Sequence, residues 1–258
     1  MHLYTNILGL EIPSYGLCIA TGLILANFIA VIILKQSRFD LNDFIILEGY
    51  CLLGSFIGSK VLYLIVSREY IEWDRIWDYN YFNELMLGGF VFYGGLIGGF
   101  LFVCIGGVVH KIAAGKYVRK LIFLIPFIHS FGRIGCYMAG CCYGIPYKGI
   151  GAVVFPEGSF APAGVELFPI QLVEAIALMM IFLLILTLQV RANINCTIEI
   201  YLFVYGVVRF FLEFLRYDSI RGHIAELSTS QWISIFMILS AIISYEIHFG
   251  SKTVRNKN

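Results

Sequence analysis

The sequence predicts an all-α membrane protein with seven transmembrane helices, the N-terminus outside and the C-terminus in the cytoplasm. Three observations predict it. The 258 residues are 59% hydrophobic and only 14% charged, with mean hydropathy +0.83, a balance that belongs to the membrane class rather than to soluble domains. Seven apolar runs recur, at 15–34, 44–66, 90–109, 121–140, 170–190, 198–215 and 231–249, each close to the ~20 residues that span hydrocarbon. The runs are continuous rather than alternating, which argues against a transmembrane β-barrel. The connections differ in charge: one side carries Lys35, Arg38, Lys111, Lys116, Arg119, Lys120, Arg191, Lys252, Arg255 and Lys257, the other Arg68, Arg75, Lys148 and Arg221. The basic side is cytoplasmic. The chain reads as a single transmembrane domain over 1–258, with outer-face connections at 67–89 and 141–169. The first run lacks a positive leading region and a small-residue cleavage site, so it does not read as a cleaved signal peptide. A net charge of +1 without a basic stripe gives no support for nucleic acid.

Taken in order, residues 1–14 form a short lead-in with Pro13. Tyr15 then stands at the outer boundary of the first run, where it reads either as an interfacial belt tyrosine or as a pocket wall. The second run holds Gly54 and Gly58, a spacing that lets helices approach closely. Lys60 lies in its outer half and reads either as a snorkelling cation or as part of a site. Residues 67–89, with Trp73, Trp77, Tyr79 and Tyr81, suit the headgroup layer. The third run opens GGFVFYGGLIGG. Glycine is costly in a helix unless something packs against its backbone. Tyr93 sits among these glycines near the outer end.

The fourth run carries Arg133 about 18 Å along its length, beyond the midplane. An arginine in hydrocarbon faces a bundle interior or a wet cavity. Phe131 to Gly144, FGRIGCYMAGCCYG, then supplies Cys136, Cys141 and Cys142 before Pro146. Four prolines break residues 141–169. The fifth run opens FPIQLVEA, with Gln171 and Glu174 in its first turn. There a carboxylate is favourable simply by facing the helix N-terminus. In the sixth run Arg209 has Glu213 on the same face four residues later. Arg216 and Arg221 follow at the outer surface. The seventh starts LSTSQW, a capping start, with Gln231 near its outer end.

The polar residues Tyr15, Lys60, Tyr93, Arg133, Gln171, Arg209, Glu213 and Gln231 thus all fall in outer halves, and the inner halves are nearly featureless. That fits an outer-leaflet pocket better than a translocation path. Arg133 and Arg209 reach similar depth with one obvious carboxylate between them, an excess of positive charge that suits an anion such as a phospholipid headgroup. The thiols have three readings: structural or disulfide-bonded, catalytic or ligand-contacting, and metal-binding. The C-x4-C-C spacing matches no standard zinc or redox pattern. The reading calls for no metal and no cofactor.

The blocks SYGL at 14–17, FYGGLIGG at 92–99, FGRIG at 131–135, FPIQLVE at 168–174, YGVVRFFLEFLR at 205–216 and LSTSQ at 227–231 resemble, in order, those of the prolipoprotein diacylglyceryl transferase family of bacterial inner membranes. The resemblance implies an enzyme that moves a diacylglyceryl group from phosphatidylglycerol to the lipobox cysteine thiol of a secreted precursor, forming a thioether. It implies that Arg133 and Arg209 bind the donor phosphate, that Glu213 orients Arg209, and that Tyr15 lines the pocket. Tyr93 is placed with them as catalytic. Lys60, Cys136, Cys141, Gly144, Gln171 and Gln231 are placed as substrate-binding. Three positions depart from the family pattern: Tyr93 stands for a histidine, and Cys136 and Cys141 stand for Asn and Glu. Tyrosine, with a reference pKa of ~10, is a poor base near neutrality. A cysteine thiolate beside arginines is one replacement, and no dedicated base is another. A divergent acceptor, or a non-catalytic lipid-binding or thiol-redox protein, is the rival reading.

Overall fold

The computed structural model describes residues 3–7, 9–89, 91–192, 194–217 and 223–247. Arg221, Lys252, Arg255 and Lys257, the first residue of the expected third span and the last two of the seventh lie outside them. The described residues are mostly helical, and every expected run is met by a helix: α1 Ser14–Gln36, α2 Leu41–Val66, α3 Tyr79–Leu87, α4 Phe92–Val109, α5 Ala114–Leu121, α6 Leu124–Ala139, α7 Ile170–Arg191, α8 Thr197–Leu212 and α9 Thr229–Tyr245. Helices α1, α2 and α7 are long and apolar enough to cross a membrane, and α5 with α6 would make a fourth, bent by 55° at the break between them. Helices α4 and α9 are apolar but shorter. Large apolar side chains stand exposed along these helices, among them Ile24, Phe28, Phe56, Phe100, Ile176 and Phe236. Exposed apolar side chains of this kind suit lipid.

Three features depart from the sequence reading. The lead-in is a hairpin, β1 Tyr4–Ile7 with β2 Leu10–Pro13, turned at Gly9, whose φ of +85° a side chain would resist. The expected fourth span is not one straight helix. Pro126 has no N–H to give to the carbonyl of Ile122, so the chain breaks at Ile122–Phe123 and restarts with proline tolerated in the first turn of α6. The 141–169 connection carries a short antiparallel pair, β3 Val153–Val154 with β4 Glu166–Leu167, and a second pair, β5 His223–Ile224 with β6 Leu227–Ser228, lies between α8 and α9.

The chain divides into two units, 31–118 and 1–30 with 119–258. In the first, α2 and α4 meet through glycine. A Cβ at Gly54 or Gly58 would collide with the backbone of Gly98 or Gly94, and the converse holds. Lys60, 7% exposed, gives its ammonium to the carbonyls of Leu85 (2.7 Å) and Gly88 at the end of α3. In the second unit α6 packs on α7, and α8 on α9. Gly206 lets α9 approach, since a Cβ there would lie 2.9 Å from Ile238 and 3.1 Å from the Ser234 carbonyl. Ser228 and Gln231 close a capping box at the start of α9. Phe155, Ala161 and Leu167, covered by Tyr137, Tyr143 and Val153, form a small core of their own in the 141–169 connection.

Candidate active site

The site is built on four helices of the unit made by 1–30 and 119–258. Arg133 lies in the second half of α6, Glu174 in the first turns of α7, and Arg209 in the last turn of α8, with Glu213 and Arg216 just beyond it. The Arg133 Nε lies 3.1 Å from Glu174 Oε2. The same oxygen is 4.0 Å from Arg209 Nη1 and 3.9 Å from Arg216 Nη1. Tyr205 donates to the other oxygen, Oε1, at 3.2 Å. Glu174 is 1% exposed, so one buried carboxylate gathers three guanidiniums. Arg209 Nη2 also reaches Glu213 Oε2 at 2.6 Å and Ser230 Oγ at 3.1 Å. Three cations face two anions. A charged group in this setting is stabilised only by partners, because burial strips its hydration.

Two members of this cluster lay beyond the sequence reading. Glu174 is not merely a helix-start carboxylate but the centre of the cluster. Arg216 is not at the outer surface; its side chain is 3% exposed. Arg216 is held there because Gly144 pairs with it in a β-bridge, Ile145 N–H donates to the Leu215 carbonyl, and Tyr217 N–H donates to the Tyr143 carbonyl. A Cβ on Gly144 would lie 2.5 Å from the Phe168 carbonyl and 3.0 Å from that of Leu215. The glycine therefore permits this seam. The spacing gave one hint, since Arg216 follows Arg209 by seven residues and so shares its side of a helix. His129, one turn before Arg133, also belongs to this neighbourhood; its ring packs edge-on against Tyr205 at 5.4 Å.

The thiols lie beside the cluster. Helix α6 ends at Gly140 in the left-handed region, φ +72°, and Cys142 follows at φ +57°. Cys141 N–H donates to the Cys136 carbonyl at 3.1 Å. This turn brings the sulfurs of Cys136, Cys141 and Cys142 within 4.8 Å of one another, with no disulfide joining them. Hydrogen bonds from the Cys136 and Cys141 thiols, with Arg216 and Arg133 alongside, hold the Cys142 thiol well below its ordinary range. Its hydrogen-bonded partner Cys141 is pushed up, chiefly by the bond to Cys136. Gln171 Nε2 donates to the Cys141 carbonyl at 2.9 Å. Tyr15, in the first turn of α1, packs against α6; a Cβ on Gly135 would sit 3.0 Å from its ring.

Arg133, Arg209, Glu213, Cys136, Cys141, Gln171 and Tyr15 thus fall in one neighbourhood with Glu174 and Arg216. Gly144 belongs to the seam beneath it. Gln231 is engaged in its capping box, its Oε1 accepting from Ser228 N–H at 2.9 Å. Lys60 and Tyr93 belong to the 31–118 unit, where Lys60 holds the carbonyls at the end of α3 and Tyr93 is 37% exposed at the start of α4. An arginine cluster of this kind can hold a phosphate in planar forks and steady charge developing on a departing phosphate oxygen.

A family model described as prolipoprotein diacylglyceryl transferase matches residues 3–246. A phosphatidylglycerol–prolipoprotein diacylglyceryl transferase 2 from Clostridium perfringens (strain 13 / Type A) is 34% identical over 247 residues, covering 94% of this chain and 93% of that protein. The phosphatidylglycerol–prolipoprotein diacylglyceryl transferase of Clostridium tetani (strain Massachusetts / E88) is 32% identical, with 94% and 95% covered. That of Finegoldia magna (strain ATCC 29328 / DSM 20472 / WAL 2508) is 29% identical, with 92% of each covered.

Proposed function

Because the chain belongs to the prolipoprotein diacylglyceryl transferase family, we propose that it transfers the diacylglyceryl group of phosphatidylglycerol to the lipobox cysteine thiol of a prolipoprotein. It is a membrane protein. In our reading it spans the bacterial inner membrane seven times, N-terminus out and C-terminus in, with its site toward the outer leaflet. The observation that carries the reading is the set of three guanidiniums gathered on Glu174.

The chemistry is a displacement at carbon. The acceptor thiolate attacks the glyceryl carbon that bears the phosphate oxygen. A C–S bond forms, the C–O bond breaks, and the electron pair leaves on glycerol phosphate. Arg133 and Arg209 hold that phosphate, with Arg216 as a third donor, and the charge they offer grows in value as the leaving oxygen gains charge. Glu174 and Glu213 keep the guanidiniums aimed. Tyr15 and Gln171 line the pocket. Gly144 and Gln231 shape its surroundings, while Lys60 and Tyr93 belong to the 31–118 unit.

The test is mass spectrometry of a lipobox peptide incubated with the purified protein and phosphatidylglycerol, beside Arg133→Ala. The expected result is a diacylglyceryl mass gain on the peptide cysteine that falls by roughly 10²–10³ in the variant. A folded protein that binds phosphatidylglycerol and leaves the peptide unmodified would sink the reading and point to another acceptor.

A further inference from the structure

We propose that Cys136, Cys141 and Cys142 bind one thiophilic divalent cation, zinc by its chemistry, as three thiolates, and that the open fourth position takes the acceptor thiol. The proposal rests on the transferase reading for the identity of that thiol.

The geometry comes first. Adjacent side chains on extended backbone point to opposite sides, so Cys141 and Cys142 would not ordinarily share a ligand. The left-handed conformation of Cys142 overrides this and sets both sulfurs beside that of Cys136 on the last turn of α6. All three lie within 4.8 Å. Zinc–sulfur bonds of ~2.3 Å in a tetrahedron place sulfurs ~3.8 Å apart, so small side-chain rotations complete the site. Among the described residues no fourth Cys, His, Asp or Glu joins the group. Three protein ligands and one open position is the arrangement of a catalytic rather than a structural zinc.

Charge and support come next. Three guanidiniums, those of Arg133, Arg209 and Arg216, gather at Glu174 in the same neighbourhood. A dication bound by three thiolates carries one net negative charge, which suits a positive setting of this kind. The Cys141 carbonyl is anchored by Gln171 and the Cys136 carbonyl by Cys141 N–H, so the backbone bearing two ligands is fixed by outer hydrogen bonds, as metal ligands require.

The reaction needs a thiolate, and a free thiol with pKa ~8.5 is about 3% ionised at pH 7. A thiol that coordinates zinc gives its proton to water and binds as thiolate. It then forms the C–S bond as the C–O bond breaks; the phosphate oxygen takes the electron pair, and the metal's valence is unchanged. The cluster would supply the ionised acceptor.

The experiment uses the full-length protein in phosphatidylglycerol-containing vesicles, stripped of metal and titrated with cobalt(II), then with zinc(II). One cobalt per chain with a thiolate-to-cobalt charge-transfer band is expected. The band should be lost in Cys136→Ser and Cys142→Ser, and its visible bands should shift on adding a lipobox peptide but not the peptide with serine for cysteine. Stripping the wild-type protein should slow transfer roughly 10- to 30-fold at pH 7. The deficit should shrink as pH rises through the thiol's own pKa, and zinc should restore the rate. Full activity after stripping would overturn the proposal, as would an active protein whose Cys136 is disulfide-bonded to Cys141 or Cys142. The spectrum is read without turnover. Peptide-dependent cobalt bands in a protein that never transfers lipid would uphold the site and overturn the transferase reading instead.

Discussion

Glu174 carries more of the site than any other single side chain. Removing one partner of a buried ion pair leaves the others uncompensated, at a cost of about 3–5 kcal/mol. Glu174→Gln is therefore expected to lower the thermal midpoint in detergent markedly and to abolish transfer, with Tyr205→Phe milder on both counts. Arg209→Lys keeps the charge but loses the planar fork. It should lower kcat by roughly 10²-fold while phosphatidylglycerol binding changes less, as separate rate and lipid-binding measurements would show. Arg133, Arg209 and Glu213 were legible in the sequence because a charge within an apolar run must be there for a reason. Glu174 was not, since a carboxylate opening a helix already has a sufficient local explanation. Arg216 was not, since a charge at the end of a span looks like an interfacial one. What singles both out is a meeting of α6, α7 and α8 that local spacing does not encode.

At the scale of elements, glycine and proline were the informative letters, and one of them was misjudged. The α2–α4 contact was readable from Gly54 and Gly58 together with the glycines of FYGGLIGG, because only backbone can come so near. Gly58→Leu should destabilise the protein by at least about 1–3 kcal/mol, whereas Gly115→Ala, where a Cβ meets open space, should be near neutral; thermal unfolding of the two variants in parallel checks the contrast. Pro126 was equally visible, yet an unbroken hydropathic run masked the break it imposes. The hairpin at 4–13 went unseen for a different reason. Its strands are four residues each, too short for alternation to register.

For the molecule as a whole, hydropathy was enough to locate the long helices among the described residues, since the constraint of satisfying backbone polar groups in lipid leaves few alternatives. Orientation rests on charge, and it predicts that a C-terminal green fluorescent protein fusion is fluorescent while a C-terminal alkaline phosphatase fusion is inactive. The opposite pair of results would invert the topology. The seam that ties the loop after α6 to the end of α8, through Gly144 and Arg216, has a bearing on how such a chain tolerates change. Three arginines share one carboxylate, so their losses cannot be independent: once Glu174 is replaced the buried guanidiniums are uncompensated, and a second substitution at Arg133 or Arg216 relieves part of that cost. Sequence drift here is a matter of order, in which a change that is ruinous first becomes compensating second, and the cluster can be exchanged only as a set.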